Sequence, residues 1–164
     1  MTFKVKSFKN NSFKDQRGYY WTAWKSKSVT KKLKFNHDKF SLSKQKVLRG
    51  LHGDSKTWKL VSCPYGKCLL VVVNLVKKSK DYLKYKSWIL SHKNGFQVLI
   101  PPNYANGHLC LSKECLFHYK LSYKGSYADQ SKQFSLKWND PKLNINWGIK
   151  DPILSNRDKK TKFL

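Results

Sequence analysis

Short apolar runs separated by turn residues recur along the whole chain, and several of them alternate apolar with polar positions. Runs of this length, enriched in β-branched and aromatic residues, predict strands. The predicted strands span residues 18–24, 47–51, 58–63, 67–76, 87–91, 96–100, 116–123 and 134–138. An apolar period of 3.6 residues never persists for three turns, so we expect helix only in short pieces, near residues 81–86 and in the C-terminal tail.

Turn signals between these runs support the same interpretation. The tetrapeptide Cys63-Pro64-Tyr65-Gly66 predicts a tight connection, residues 92–95 end in Asn-Gly, and Pro101-Pro102 ends the strand before it. Many short strands predict an all-β fold, a β-sandwich or jelly-roll barrel that forms one domain over residues 1–164. The apolar run of residues 69–73 lacks alternation, which predicts a strand covered on both faces, and a dimer interface could supply one cover.

The amino-acid composition excludes disorder, but the large positive net charge needs an explanation. The 164 residues are 40% hydrophobic and 15% aromatic, enough for a real core. A formal net charge of +25 raises the possibility of nucleic-acid binding. However, the chain has only three arginines, Arg17, Arg49 and Arg157, and its lysines are spread through every segment. Because base and phosphate recognition favour clustered arginine, nucleic acid is not the expected partner, and the charge suits an anionic small substrate.

Four cysteines, Cys63, Cys68, Cys110 and Cys115, form two Cys-x4-Cys pairs. This spacing is wider than the Cys-x2-Cys of most zinc sites. Because the pairs lie in or beside apolar runs, we interpret them as small core residues with reduced thiols. The chain shows neither a secretory signal at its start nor an apolar stretch near the 18 residues of a membrane span, so we expect a cytoplasmic location and no membrane partner.

His52, Lys59, Tyr119 and Asp158 are the candidate catalytic residues on chemical grounds. They offer a base, a cation, a phenol and an orienting carboxylate, a set that suits removal and return of a carbon-bound proton. Each of these four residues also has a plainer, structural interpretation: a strand-end histidine, a solvent-facing lysine, a packed aromatic ring and a surface acid. If Lys59 faces a cavity instead of solvent, its ammonium would stabilise an enolate oxygen. None of the five histidines forms a His-x-His pair followed by glutamate, so we expect no metal.

Six segments, taken in order, resemble motifs of the dTDP-4-dehydrorhamnose 3,5-epimerase family of metal-free cupins. They are residues 13–18 (F-x-D-x-R-G), residues 47–52 (V-L-R-G-L-H), residues 59–61 (K-L-V), residues 100–107 (I-P-x-G-F-A-H-G), residues 138–141 (W-N-D-P) and residues 154–158 (L-S-x-K-D). The resemblance runs over nearly the whole chain. It implies a cupin jelly-roll β-sandwich or barrel with short helical pieces, and a cofactor-independent epimerase.

On the matched positions, the resemblance implies His52 as the base, Asp158 as its partner, Lys59 as the enolate stabiliser and Tyr119 as the acid on the opposite face. It also implies substrate binding by Arg17 and Arg49. The further candidate substrate-binding residues are Tyr20, His37, Lys39, Asn106 and His108. The family is dimeric, and its N-terminal segment reaches into the neighbouring subunit. Arg17 and Tyr20 would then act across that interface, and Arg17 and Arg49 would hold the substrate's diphosphate, a task that suits the guanidinium fork.

The chain departs from the family pattern in two places. Asn106 replaces a second active-site histidine, and His108 follows two residues later. Asparagine can donate to an oxyanion but cannot carry charge, so stabilisation falls more heavily on Lys59. Where the family has Q-D-N at its nucleotide site, this chain has His37-Asp38-Lys39, which argues against a thymidine base. Residues 52–54 and 101–103, together with Asn106, resemble the subgroup acting on GDP-linked 4-keto heptoses.

We therefore expect an enzyme that inverts C3, C5 or both on a nucleotide-linked 4-keto sugar for cell-surface polysaccharide synthesis, without metal or other cofactor. Two alternatives stay open. One is a sugar-nucleotide 3,4-ketoisomerase on a similar cupin, which would not need Tyr119 on the far face of the sugar. The other is a non-enzymatic basic β-sandwich that binds nucleic acid or polysaccharide, in which loss of His52 would leave function intact.

Overall fold

The computed structural model describes residues 4–25, 29 and 32–164, which form mostly β-structure. The strands are β1 (Lys6–Lys9), β2 (Ser12–Asp15), β3 (Gly18–Trp21), β4 (His37–Lys44), β5 (Leu48–Gly53), β6 (Trp58–Tyr65), β7 (Lys67–Asn74), β8 (Tyr85–Ser91), β9 (Phe96–Ile100), β10 (Tyr104–Cys110), β11 (Glu114–Ser122) and β12 (Phe134–Ser135). A 3-10 turn (Gln130–Lys132) and a short helix, α1 (Asn156–Lys160), complete the described elements. Residues 1–3, on which the expectation of no secretory signal rests, lie outside the described residues.

Two five-stranded antiparallel sheets form the sandwich. The first has the strand order β1-β9-β6-β11-β4 and the second β12-β5-β10-β7-β8, while β2 and β3 form a separate hairpin. Neighbouring strands are often far apart in sequence, as when β5 pairs with β10 and β4 with β11. The predicted all-β jelly-roll sandwich is therefore confirmed.

The second sheet is covered on both faces by this chain alone. Leu70 and Val72 of β7 face the first sheet and join a core that includes Val61 and Phe117. On the other face, Val71 and Val73 pack in a second core that the C-terminal segment closes with Leu136, Leu143 and Trp147. The prediction that residues 69–73 are buried on both faces is confirmed, but no dimer interface is needed to cover them.

Close packing between β5 and β10 sets the register at the centre of the second sheet. Gly50 has φ +115°, and a Cβ placed on it would lie 2.6 Å from the Cα of Gly107 on β10. A larger residue would push the two strands apart. With glycine at both positions, His52 of β5 lies directly opposite Asn106 of β10.

All eight predicted strand regions contain a strand, and the C-terminal helix is present as α1. The helix expected near residues 81–86 is wrong, because residues 81–83 form a turn and β8 begins at Tyr85. Four strands, β1, β2, β4 and β10, were not anticipated. No helix in the described part of the chain is long and apolar enough to cross a membrane.

Candidate active site

A cleft of about 820 Å³ opens between the two sheets at the end where the C-terminal segment crosses. The first sheet contributes Lys59 from β6 and Tyr119 from β11, and the second contributes His52 and Asn106. The C-terminal segment adds Asp158, so all four predicted catalytic residues line one cleft. Lys59 and Asp158 are only 8% and 4% exposed, so Lys59 is not a solvent-facing lysine and Asp158 is not a surface acid.

His52 and Asp158 form a short hydrogen-bonded pair at the cleft wall. The Nε2 atom of His52 lies 2.7 Å from Oδ1 of Asp158. When Nε2 carries the proton and donates it to the carboxylate, Nδ1 has the free lone pair that a base requires. The histidine side chain is 23% exposed and its carboxylate partner 3%, so the imidazole is the more accessible member of the pair.

Helix α1 holds Asp158 in place through its N-terminal cap. Ser155 caps the helix, accepting a hydrogen bond from the backbone N of Asp158 and donating from its hydroxyl to Oδ2 at 2.9 Å. Burial opposes ionisation of Asp158, but hydrogen bonds from His52, Ser155 and the Gly50 backbone prevail, so its pKa lies below the ordinary value. An ionised carboxylate is the form that fixes the histidine tautomer and favours the imidazolium.

Lys59 extends from β6 into the base of the cleft. Its Nζ donates to Oδ1 of Asn106 at 2.9 Å and to the backbone O of His52 at 3.3 Å. Burial lowers the pKa of Lys59 to about 8, and the negative charge of buried Asp54 opposes that shift. The lysine therefore remains mostly an ammonium at neutral pH, in a place where water screens it little.

Tyr119 faces the same space from β11, across from the histidine. Its ring packs against Phe117 with 4.8 Å between centroids, and the Asn106 side chain lies close enough to its hydroxyl to influence the pKa of the phenol. Burial raises the pKa of Tyr119 above the ordinary value, so it stays a protonated phenol and a proton donor. Asn106 thus accepts a hydrogen bond from the lysine and also lies near the phenol, a shared position that the sequence did not predict.

Arg49 and Lys39 are two of the cations that line the cleft. Arg49 donates from Nε to Ser43 at 3.0 Å and from Nη2 to the backbone O of Leu42 at 3.2 Å, which orients its guanidinium. Lys39 lies on the edge strand β4, and its Nζ is 4.8 Å from the ring centroid of Tyr127. Both lie where an anionic group at the mouth of the cleft would contact them.

The other predicted binding residues do not line the cleft. Arg17 and Tyr20 belong to the exposed hairpin β2–β3, where Arg17 pairs with Asp15 at 2.6 Å and the Tyr20 ring stacks on Phe13. His37 does not line the cleft; its Nδ1 lies 3.0 Å from the hydroxyl of Tyr123.

His108 is fully buried behind the cleft, so the predicted substrate contact is not available to it. Its ring stacks on Phe117 with 4.0 Å between centroids, and neither ring nitrogen has a hydrogen-bond partner among the described residues. Burial, aided by the nearby charge of Arg49, lowers the pKa of His108 to about 3. We therefore describe it as a neutral packing residue between the two sheets.

Several cleft residues were missed from the sequence. Ser155 caps α1 beside Asp158, and Arg157 lines the cleft while donating to Gln133 and Ser135 at 3.2 and 2.9 Å. Both carried a usable signal, since serine before a short polar helix is a capping pattern and arginine is scarce here. No group of three or more His, Cys, Asp or Glu side chains in the described ranges is arranged to hold a metal ion.

The fold is that of a cupin, and its cleft brings together a hydrogen-bonded histidine–aspartate pair, a buried lysine and a facing tyrosine. The family profile of dTDP-4-dehydrorhamnose 3,5-epimerase matches residues 3–164. The chain belongs to that family, whose members are isomerases.

Individual relatives agree over most of their length. The dTDP-4-dehydrorhamnose 3,5-epimerase of Shigella flexneri is 32% identical over 158 residues, covering 92% of this chain and 86% of the relative. A crystal structure of the dTDP-6-deoxy-D-glucose-3,5-epimerase of Legionella pneumophila, in complex with dTDP-4-keto-L-rhamnose, has a TM-score of 0.90 at 31% identity, covering 97% and 87% of the two chains. The Bacillus anthracis enzyme, with TDP and pyrophosphate bound, has a TM-score of 0.89 at 29% identity, covering 98% and 94%.

Proposed function

We propose that this enzyme epimerises a nucleotide-diphosphate-linked 4-keto sugar at C3, C5 or both, as a step in cell-surface polysaccharide synthesis. The observation that carries the proposal is the meeting of the His52–Asp158 pair, Lys59 and Tyr119 in one cleft. Such a set supplies each group that removal and return of a carbon-bound proton needs. The relatives' names support the same chemistry, since they are 3,5-epimerases of dTDP-linked sugars.

His52 acts as the base in this proposal. A proton next to the C4 ketone is acidic because its removal gives an enolate, and a neutral imidazole can accept it. The imidazolium that forms is stabilised by the Asp158 carboxylate 2.7 Å away. Because that carboxylate is buried and hydrogen-bonded to Ser155, it keeps the ring oriented toward the cleft.

Lys59 and Asn106 stabilise the charge that develops on the C4 oxygen. The ammonium lies at the base of the cleft, 2.9 Å from the Asn106 carbonyl oxygen, where burial strengthens its interaction with an oxyanion. With that oxygen accepting from the lysine, the amide nitrogen of Asn106 is left as a neutral donor. The cationic share of the stabilisation therefore falls on Lys59.

Tyr119 returns a proton from the face opposite His52, which completes an inversion. The two residues come from different sheets and line opposite sides of one cleft. The raised pKa of the phenol keeps its proton available at neutral pH. A 3,4-ketoisomerase would move the carbonyl instead and would not need this donor.

Arg49 and Lys39 at the mouth of the cleft are proposed to contact the substrate's diphosphate, because both are cationic and line that region. We also propose a homodimer in which the hairpin β2–β3 reaches the partner's cleft. The hairpin is exposed in one chain, with Phe13 and Tyr20 at 62% and 66%, and its Arg17 does not line the chain's own cleft. The four free cysteines favour a reducing, cytoplasmic setting.

The identity of the nucleotide base is the most specific part of the proposal. The sequence favours guanine on account of His37, Lys39 and Asn106, whereas the relatives' names point to thymine. Of those three residues, only Lys39 and Asn106 line the cleft, so His37 contributes little to the preference for guanine. Competition titration of GDP and dTDP tests the point, and dTDP binding at least tenfold tighter, a gap of about 1.4 kcal/mol, would exclude guanine.

The experiment that tests the function is proton exchange together with inversion in Tyr119→Phe. Wild-type enzyme in deuterated water should place deuterium at C3 or C5 of a dTDP- or GDP-linked 4-keto-6-deoxy sugar, and NMR reports both exchange and configuration. The variant should still exchange through His52 but invert poorly, most clearly at C5. Product with its carbonyl at C3 would indicate the ketoisomerase, and normal inversion by the variant would make Tyr119 a packing residue.

A further inference from the structure

A row of polar side chains crosses the outer face of the first sheet, the face turned away from the second sheet. Gln97 on β9, Ser62 on β6 and His118 on β11 occupy directly opposed positions on three neighbouring strands. Opposed residues of antiparallel strands place their side chains on the same face, with Cβ atoms about 4.5–5.5 Å apart. The neighbours of Ser62 along β6, Val61 and Cys63, belong to the core between the sheets, so alternation puts the row outside.

His118 connects this row to a carboxylate. Its Nε2 atom lies 2.6 Å from Oδ1 of Asp38 on the edge strand β4, and its Nδ1 atom lies 3.4 Å from Oγ of Ser62. When Nε2 carries the proton and donates it to Asp38, the lone pair of Nδ1 is available to the serine hydroxyl. The three side chains therefore have the carboxylate–imidazole–hydroxyl order of a serine nucleophile with its base.

Two contacts hold the imidazole and its carboxylate in place. The ring of Phe40 stacks on His118 with 4.6 Å between centroids and 15° between planes. The Nζ atom of Lys120 donates to the other carboxylate oxygen of Asp38, Oδ2, at 2.8 Å. Burial opposes ionisation of Asp38, but the hydrogen bonds from Lys120 and His118 prevail, so its pKa lies below the ordinary value. Asp38 is thus a carboxylate at neutral pH, the form that orients a catalytic histidine.

The serine and the histidine line a second cavity, of about 410 Å³. Several of its other walls are aromatic and include Tyr19 and Trp21 of the hairpin and Phe96 of β9. Among the described residues, no Lys, Arg, Asp or Glu side chain lines it, although the chain carries a net charge of +25. Phe40 alone of the described residues lines both this cavity and the catalytic cleft. The cavity therefore suits an uncharged ligand with an apolar group.

Gln97 supplies a hydrogen-bond donor on the other side of the serine. Its side chain is buried and lines the same cavity, and its Nε2 atom donates to the backbone O of Ala23 at 2.8 Å. An amide nitrogen carries two hydrogens, so a second one remains for an oxygen atom beside Ser62. An ester carbonyl oxygen becomes negative when a hydroxyl attacks it, and a donor placed there stabilises that charge.

We propose that Ser62 is the nucleophile of a second active site, which hydrolyses uncharged carboxylic esters whose apolar group fits the aromatic cavity. The Oγ atom of Ser62 attacks the ester carbonyl carbon, its proton passes to Nδ1 of His118, and Gln97 donates to the oxyanion. The carbon–oxygen bond to the alcohol then breaks, and the alcohol leaves with the proton from His118. Water next attacks the acyl-serine, gives its proton to His118, and the acid leaves as that proton returns to Oγ. One ester and one water thus give one alcohol and one acid.

The test uses the full-length protein and two probes. Diisopropyl fluorophosphate reports an activated serine, because Oγ attacks phosphorus, fluoride leaves, and the peptide that contains Ser62 gains mass. p-Nitrophenyl acetate reports turnover, measured after its single reaction with the surface lysines is complete and corrected for spontaneous hydrolysis. We expect the label on Ser62, and a turnover at least about 10²-fold lower in Ser62→Ala and in His118→Gln. The matched control Ser87→Ala, which changes an exposed serine of β8, should stay within about twofold of wild type.

Three results would overturn the proposal. One is a Ser62 peptide that stays unlabelled when the fluorophosphate is in excess. Another is equal labelling of Ser62 in denaturant, because the activation would then not depend on His118 and Asp38 being in place. The third is turnover by a folded Ser62→Ala variant within about twofold of wild type. Labelling of the wild-type protein decides the first two even if a variant fails to fold.

Discussion

Raising the pH should switch off catalysis by removing the charge on Lys59. The pKa of this buried lysine is about 8, because burial disfavours the ammonium. With that value, about 90% of the enzyme carries the ammonium at pH 7 and about 10% at pH 9. If the neutral amine gives no oxyanion stabilisation, kcat/KM should fall about tenfold between these pH values and about tenfold for each further unit.

The assay is deuterium exchange at C3 of the sugar, measured as kcat/KM so that the profile reports the free enzyme. Tyr119 does not compete as the cause, because burial raises its pKa above the ordinary value of 10.0, and Tyr119→Phe should keep the same alkaline limb. Asp54→Asn should move the limb to lower pH, since the negative charge of Asp54 favours the ammonium.

A kcat/KM that stays flat from pH 7 to about pH 9.5 would refute the argument, because the lysine charge would then not be needed. If Asp54→Asn does not shift the alkaline limb of the kcat/KM profile, a group other than Lys59 causes that limb. Circular dichroism across the same range separates loss of catalysis from loss of fold.

Three further predictions concern neighbouring residues. His108→Phe should raise the free energy of unfolding by about 1–3 kcal/mol, because it removes a buried imidazole without hydrogen-bond partners; urea melts measure this, and an unchanged or lower stability would indicate a partner such as water. Asp158→Asn should lower kcat by about 10²- to 10⁴-fold with an intact fold, since the tautomer of His52 is no longer fixed. A kcat within about twofold of wild type would show that catalysis does not depend on the His52–Asp158 pair. Arg49→Lys should raise KM about tenfold with little change in kcat, because lysine lacks the guanidinium fork; equal KM values at low and high salt would argue against a diphosphate contact.

Strands with clear apolar patterns were predictable, and those without them were not. The β10 sequence Tyr-Ala-Asn-Gly-His-Leu-Cys contains three residues that disfavour strands or cores, yet every position is buried. Its pairing with both β5 and β7 overrides the local preference. Strand β4 does alternate at residues 40–43, but Phe40 and Leu42 face outward at 59% and 56% exposure while Ser43 is buried, so its apolar pattern does not mark a buried face.

The residues that form the site could be predicted from the sequence, but their spatial arrangement could not. Motif resemblance selected His52 and Asp158, but only the fold brings residues 106 positions apart to a distance of 2.7 Å. Alternation placed Lys59 opposite its apolar neighbours without deciding between solvent and cavity, which depends on the facing sheet. For His108, adjacency to the motif suggested substrate contact, whereas the alternation of β10 and stacking on Phe117 place it in the core.

The central claim is that His52 removes a carbon-bound proton next to the ketone of a nucleotide-linked 4-keto sugar. The most direct measurement compares wild type with His52→Asn in deuterated water, using dTDP- and GDP-linked 4-keto-6-deoxy sugars and NMR to locate deuterium. We predict deuterium at C3 or C5 with the wild-type enzyme and exchange at least about 10²- to 10⁴-fold slower with the folded variant. Near-native exchange in the variant, or no exchange by wild type with either nucleotide, would contradict the account.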